Sequence, residues 1–165
     1  MDKYYYFVSQ LPLLLFGREA SLVIDDFLRE AKKWLGARDY VILSRVALDD
    51  ISPTAQNPAG LKEYVKFESR LRNDIARWRK ARQAGQKYMP VSFPPSFVEE
   101  GTPLEVEKKL MRLRWVFIEH LEAAHHFDLE FLILYFLKLQ ILHRLFSFEK
   151  EKGSTKFNDL CEVAP

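Results

Sequence analysis

Cysteine is almost missing from this chain of 165 residues, which carries one, Cys161. A single cysteine excludes an internal disulfide framework and a zinc site built from several thiolates. It fits a reducing cytoplasm. Glycine is scarce too, with 6 residues, and a fold built on many tight β-turns would need more. Charge of one sign does not dominate. With 25 Lys and Arg against 23 Asp and Glu the formal balance is +2, so the chain as a whole selects no acidic partner. Gly-x-Ser-x-Gly, the phosphate loop and the dinucleotide fingerprint are all absent. Cys161 has no histidine near it in sequence, so nothing recommends it as a nucleophile, and it reads as a minor apolar contact. The chain is therefore expected to be no enzyme and to need no cofactor or small-molecule substrate.

The opening does not read as a secretory leader either. Met1-Asp2-Lys3 opens an apolar run, Tyr4 to Phe16, with three tyrosines where Leu or Ala is usual and no small-residue cleavage site behind them. The run is too short to cross a bilayer and reads as buried structure.

What the sequence does hold is helix. Hydrophobic residues make up 48% and charged residues 29%, a globular balance over a length suited to one domain. Aromatics reach 14%, with 13 Phe, which suggests an aromatic core or contact surface. Tyr4 to Gln10 reads as extended or as a short helix, ended by Pro12. Ser21 offers an N-cap to a helix with Asp25 and Asp26 in its first turns and Gly36 as a left-handed close. Asp39 can cap Tyr40 to Leu48, helix first and strand as the alternative, because β-branched residues are common there.

Ile51 to Gly60 is a loop by composition. A long helix follows from about Leu61 to Ala84, closed by Gly85. Glu68 interrupts its apolar stripe and stands four residues before Arg72, a structural ion pair. Residues 86–101 hold three prolines and form the main linker, packed down by Met89, Phe93 and Phe97. Thr102-Pro103-Leu104-Glu105 then gives the clearest helix start: N-cap, proline at the first position and the Glu of a capping box. That helix is expected to run to about His126. Asp128 caps the next, Leu129 to about Lys152, with Gly153 as its stop and a short final helix from Ser154 carrying Phe157 and Leu160. The expected architecture is all-α: a bundle of about five helices behind an irregular or extended N-terminal segment, one domain over 1–165, with any sub-boundary falling in the linker 86–101.

Three features could carry a function. Leu129 to Phe148 is apolar on nearly every side. Lys138 in its middle argues against a membrane span, since a central charge costs roughly 2.5–3.5 kcal/mol on insertion. A central bundle helix is the plain reading; the sharper one has part of it docking on another protein, through Leu134, Phe136 and Ile141. Glu122 and His125 have the Glu-x-x-His spacing of carboxylate-bridged metal bundles, but once where such bundles need it twice, so they are weak metal candidates beside the plain reading of a solvated helix end. The helix Leu61 to Lys87 carries nine basic residues against Glu63, Glu68 and Asp74, a local balance of +6. Arg77, Arg79, Lys80 and Arg82 concentrate it near the helix C-terminus, where the dipole favours cations. A solvated face is the plain reading. The functional ones are nucleic-acid phosphates, anionic headgroups or an acidic protein patch, and no nucleic-acid motif accompanies them.

Tyr4-Tyr5-Tyr6-Phe7-Val8-Ser9-Gln10-Leu11-Pro12, followed by Phe16-Gly17 and by the acidic helix start Asp25-Asp26-Phe27-Leu28, resembles the opening of a bacterial family of unknown function encoded among V-type ATPase genes, in the place of the C subunit. The likeness covers about the first fifth of the chain. It implies an all-helical, non-catalytic subunit joining the membrane rotor ring to the central stalk. It further implies a cytoplasmic place, peripheral to the membrane through protein contacts. It brings no catalytic residues with it.

Overall fold

A computed structural model describes residues 4–49 and 57–162, with side chains as far as residue 148. Among the described residues the protein is all helix. There are seven elements: α1 (Tyr5–Gln10), α2 (Ile24–Trp34), α3 (Ala37–Ser44), α4 (Ala59–Gln83), α5 (Ser96–Glu99), α6 (Pro103–Glu122) and α7 (Leu129–Glu162). The five long ones are the expected bundle. The N-terminal segment is irregular apart from the single short helix α1, which ends before Pro12.

The caps explain several boundaries. Thr102 and Glu105 form the full capping box: Glu105 N–H donates to Thr102 Oγ1 at 3.3 Å, and Thr102 N–H donates to Glu105 Oε2 at 2.6 Å. At the end of α4, Gly85 takes φ +65°. The Gln86 N–H reaches the Ala81 carbonyl at 2.8 Å and the Gly85 N–H reaches that of Arg82 at 3.2 Å, the paired bonds of a Schellman close.

Other local expectations need correction. Val23, not Ser21, is the N-cap of α2, though Asp25 and Asp26 do occupy its first turn. Gly36 is not left-handed; at φ −64° it opens α3, and α2 ends as the buried Leu35 turns extended. Residues 40–48 form no strand: α3 covers their first half with Asp39 in its first turn and buries Leu43, and the chain just beyond it buries Val46 and Leu48. α6 stops at Glu122 rather than His126, because the Ala124 and His125 N–H groups bond three residues back and tighten the last turn. Gly153 does not stop α7, which runs through it. An interior glycine costs about 1 kcal/mol against alanine, too little to break a helix of 34 residues. The side chains of Phe157, Leu160 and Cys161, and most of the loop 51–60, lie outside the described residues.

α7 is the axis of the bundle and packs on α6, α4 and α3. Its residues Leu132 to Leu139 are all buried. By length and composition Leu129–Phe148 could cross a membrane, but most of it is enclosed by its own chain. Several of its polar side chains are used by other segments. Tyr135 Oη donates to the Pro12 carbonyl at 2.8 Å. Gln140 accepts from Leu48 N–H at 2.8 Å and donates to the Val46 carbonyl at 3.0 Å. His143 Nε2 lies 3.0 Å from the Leu22 carbonyl. Lys138 Nζ donates to Glu122 at 2.6 Å and sits 5.0 Å from the Trp115 ring. A buried helix so equipped pins irregular N-terminal chain that has few backbone bonds of its own.

Glu130 does the same for α4, whose N-cap, Pro58, offers no side-chain bond. The Glu130 carboxylate accepts the Ala59 and Gly60 N–H groups at 3.2 and 3.0 Å. A Cβ at position 60 would stand 2.9 Å from Glu130 Oε2, so a larger residue there would have to push the carboxylate aside from these two donors. A second, smaller apolar cluster of Leu71, Ile75, Phe93 and Leu110 seats the linker against α4 and α6, and Phe67 touches both clusters.

Candidate functional site

The structure disperses most of the candidate residues. Leu134, Phe136 and Ile141 are core residues with no more than 3% of their surface exposed, so they form no docking face. An all-round apolar helix in this chain is the centre of its own bundle, not the edge of an interface. Glu122 and His125 do not converge on a metal either. Because α6 ends at Glu122, the helical spacing between them is lost: Glu122 turns to Lys138, while His125 lies between Asp128 Oδ2 (2.8 Å) and Glu130 Oε2 (2.9 Å). Among the described residues no group of three or more His, Cys, Asp or Glu could hold a metal ion.

The basic helix keeps its charge in water. All nine of its Lys and Arg side chains are exposed. They are not one patch, since successive helical residues turn by about 100°. Arg77 faces Tyr88, Arg82 lies 5.2 Å over the Trp78 ring beside Met89, and Arg79 turns to the opposite side, toward α6 and α7.

Arg79 there reaches a cleft of about 330 Å³ that no sequence pattern announces. Its walls carry Arg72, Arg79, Arg114 and Arg144 against Asp49, Glu68 and Glu107. Glu68 is its hub. Its carboxylate accepts Arg114 Nε and Nη2 at 2.9 and 3.0 Å, and Arg72 Nε at 2.7 Å. Arg72 extends further, donating to the Asp49 and Leu48 carbonyls at 3.1 and 3.2 Å. Arg144 pairs with Asp49 and with Glu107, the latter at 3.2 Å. Burial pushes the Glu68 carboxyl up, but the bonds from Arg114 and Arg72 outweigh it and hold the group below the ordinary carboxylate range. Two buried side-chain atoms lack a partner among the described residues, and both belong to this neighbourhood: Tyr64 Oη and Arg114 Nη1. Burial, followed by the Glu68 charge, pushes the Tyr64 hydroxyl well up. The Glu68–Arg72 pair was legible at its four-residue spacing; Arg114, forty-six residues away, was not.

Asp74 is a second group the sequence left unexplained. Its buried carboxylate accepts Tyr88 Oη at 2.7 Å and the Val91 and Ser92 N–H groups at 3.0 and 2.7 Å, tying the proline-rich linker to α4. The hydrogen bonds from Ser92 and Tyr88 hold its carboxyl down at about 2, against an ordinary 3.8. A depressed carboxyl contributes stability that is complete above its unfolded value and is lost as pH falls through the folded one. The linker is thus expected to loosen between roughly pH 4 and 2. Asp74→Ala leaves three donors short of an acceptor and is expected to cost about 2–4 kcal/mol. Urea denaturation at pH 7 and pH 3 checks both: the gap between wild type and variant should narrow in acid.

The remaining surface feature is aromatic. Tyr6 stacks on Trp34 with ring centres 6.4 Å apart, and Tyr5 meets Tyr6 edge-on at 5.7 Å. All three are at least 45% exposed; Trp34 stands at the end of α2, and Tyr5 and Tyr6 on a segment fastened from beneath by Tyr4, whose hydroxyl donates to Asp39 and whose N–H donates to the Phe127 carbonyl at 3.1 Å.

Residues 96–163, from the start of α5 to the end of α7, match a family model described as a protein of unknown function (DUF2764). The matched stretch supplies Glu107, Leu110, Met111, Arg114 and Arg144 to the cleft and excludes the N-terminal aromatic segment. No curated protein and no solved structure gives a significant match to the chain.

Proposed function

We propose that this chain is a non-catalytic helical subunit associated with a V-type ATPase, with a coupling or adaptor role between the membrane rotor ring and the central stalk. The observation that carries the reading is the N-terminal sequence Tyr4 to Pro12 with the helix that follows, and its resemblance to the ATPase-associated family. The geometry adds a reason for that sequence to be what it is. Tyr4 and Phe7 are buried anchors, and they leave Tyr5 and Tyr6 standing out beside Trp34. Exposed, mutually stacked aromatics on a fastened segment suit a protein contact, since little side-chain freedom is left to lose on binding. The docking face therefore moves from α7 to this strip.

The test is a pull-down of the tagged chain from mildly solubilised membranes of its source cell, with the purified protein assayed for ATP hydrolysis. Stoichiometric V-type ATPase subunits and no hydrolysis are expected. Tyr6→Ser with Trp34→Ser should keep the helical circular dichroism and lose those subunits. A wild-type pull-down without them overturns the reading.

A nucleic-acid-binding role is the second reading, favoured by the exposed positions of all nine basic residues between 62 and 87. Their spread around α4 argues against a single groove for a backbone. A gel shift with RNA and DNA at low and high salt decides it, and no shift at low salt removes it.

A further inference from the structure

The arginine cleft holds more donors than its own acids use. Four arginines face three carboxylates, so one net positive charge remains on its walls. Arg72 and Arg144 are spent on Glu68, Asp49 and Glu107 and on backbone carbonyls. Arg79 has no ion pair or hydrogen bond among the described residues. Arg114 is 8% exposed, is locked through Nε and Nη2 to Glu68, and leaves Nη1 without an acceptor among the described residues. A buried guanidinium donor with nothing to bond is uncommon and costly, because a buried charged donor without a partner forfeits its hydration.

We propose that this cleft binds a small phosphoryl anion, inorganic phosphate or the phosphate of a compact monoester, between Arg79 and Arg114. Two guanidinium groups from different helices line one space of about 330 Å³, which admits such a group. Guanidinium forks match phosphate oxygens in geometry and stay charged at every physiological pH. Glu68 orients Arg114 rather than touching the ligand, and Asp49 and Glu107 do the same for Arg144. Nη1 has no exposed surface, so binding includes a small adjustment of the cleft floor that brings an oxygen to it. This site is independent of the adaptor reading: it lies on α4, α6 and α7, away from the aromatic strip.

The test is calorimetric titration of the full chain with sodium phosphate, and separately with glycerol phosphate, each against sodium chloride at equal ionic strength. Saturable binding of either phosphate, with none of chloride, is expected. Binding of the inorganic ion assigns a free phosphate site, and binding of the ester alone assigns an esterified one. Arg79→Ala should weaken binding at least about tenfold, the loss of one charge-assisted contact. It touches no folding contact, so its circular dichroism should equal wild type. Arg82→Ala, on the same helix but outside the cleft, should bind as wild type does. No saturable binding of either phosphate overturns the site, as does equal weakening by both substitutions.

Discussion

Glu68→Gln should be among the most destabilising single substitutions in this protein. Glu68 is 4% exposed and neutralises Arg114, which is buried beside it. The amide keeps the shape but removes the charge, and one of its two terminal atoms becomes a donor facing donors. Arg114 cannot lose its proton and remains a buried cation with a poor partner. Breaking one side of such a pair costs about 3–5 kcal/mol. In a domain of this size each kcal/mol lowers the melting temperature by about 2–4 °C, so a fall of roughly 6–20 °C is expected. Replacing both partners, Glu68→Gln with Arg114→Met, should recover much of the loss, since no buried charge is then left alone. A double variant no more stable than the single one would show that Glu68 acts mainly through Arg72 and the 48–49 backbone. The pair also gives an acid limb. The Glu68 carboxyl is held below its ordinary value, so its contribution is complete above the ordinary carboxylate range and declines as pH falls through the lower folded value. The Gln variant should lack that part of the acid dependence.

Legibility in the sequence divides by range. The capping box at Thr102, the Schellman close at Gly85 and the stop before Pro12 were readable because each is settled within a few residues. The class, all-α with about five long helices, followed from the same local signals and from the scarcity of glycine. Ser21, Gly36 and Gly153 misled because a cap signal is only an offer, which tertiary packing can refuse. Leu35 turns extended and is buried, so Gly36 opens α3 instead of closing α2, and α7 runs through Gly153.

The sites were less legible than the fold. Glu-x-x-His at Glu122 assumed a helix that the structure ends at that residue. The apolar α7 looked over-supplied for a single domain. In fact the irregular stretches around Pro12, Leu22 and Val46 to Leu48 wrap it and use its polar groups one by one. The cleft could not be seen at all, because Arg72, Arg114 and Arg144 come from three helices and only their packing makes them neighbours.

Phe27→Ala should be comparably severe and should act on the N-terminal segment first. Phe27 is fully buried in α2, with ring centres 5.2 Å from Phe136, 5.7 Å from Tyr135 and 5.7 Å from Phe7. It is the wedge through which α1 rests on α7. Removing the ring opens a cavity and is expected to cost about 3–5 kcal/mol. Phe27→Leu, which keeps most of the volume, should cost less. The loss will not be even. α1 has six residues, and Tyr4 at its start bonds to Phe127 and Asp39. Once Phe7 has lost its seat, hydrogen exchange at Val8, whose N–H bonds the Tyr4 carbonyl at 3.0 Å, should rise toward that of an open chain while α6 keeps its protection. The same variant should weaken any partner that grips Tyr5, Tyr6 and Trp34, because an aromatic strip on a frayed segment must be ordered again on binding. Unchanged exchange at Val8 would place the anchor of α1 in Tyr4 and Phe127 instead, and Tyr4→Ala would then be the substitution that releases the strip.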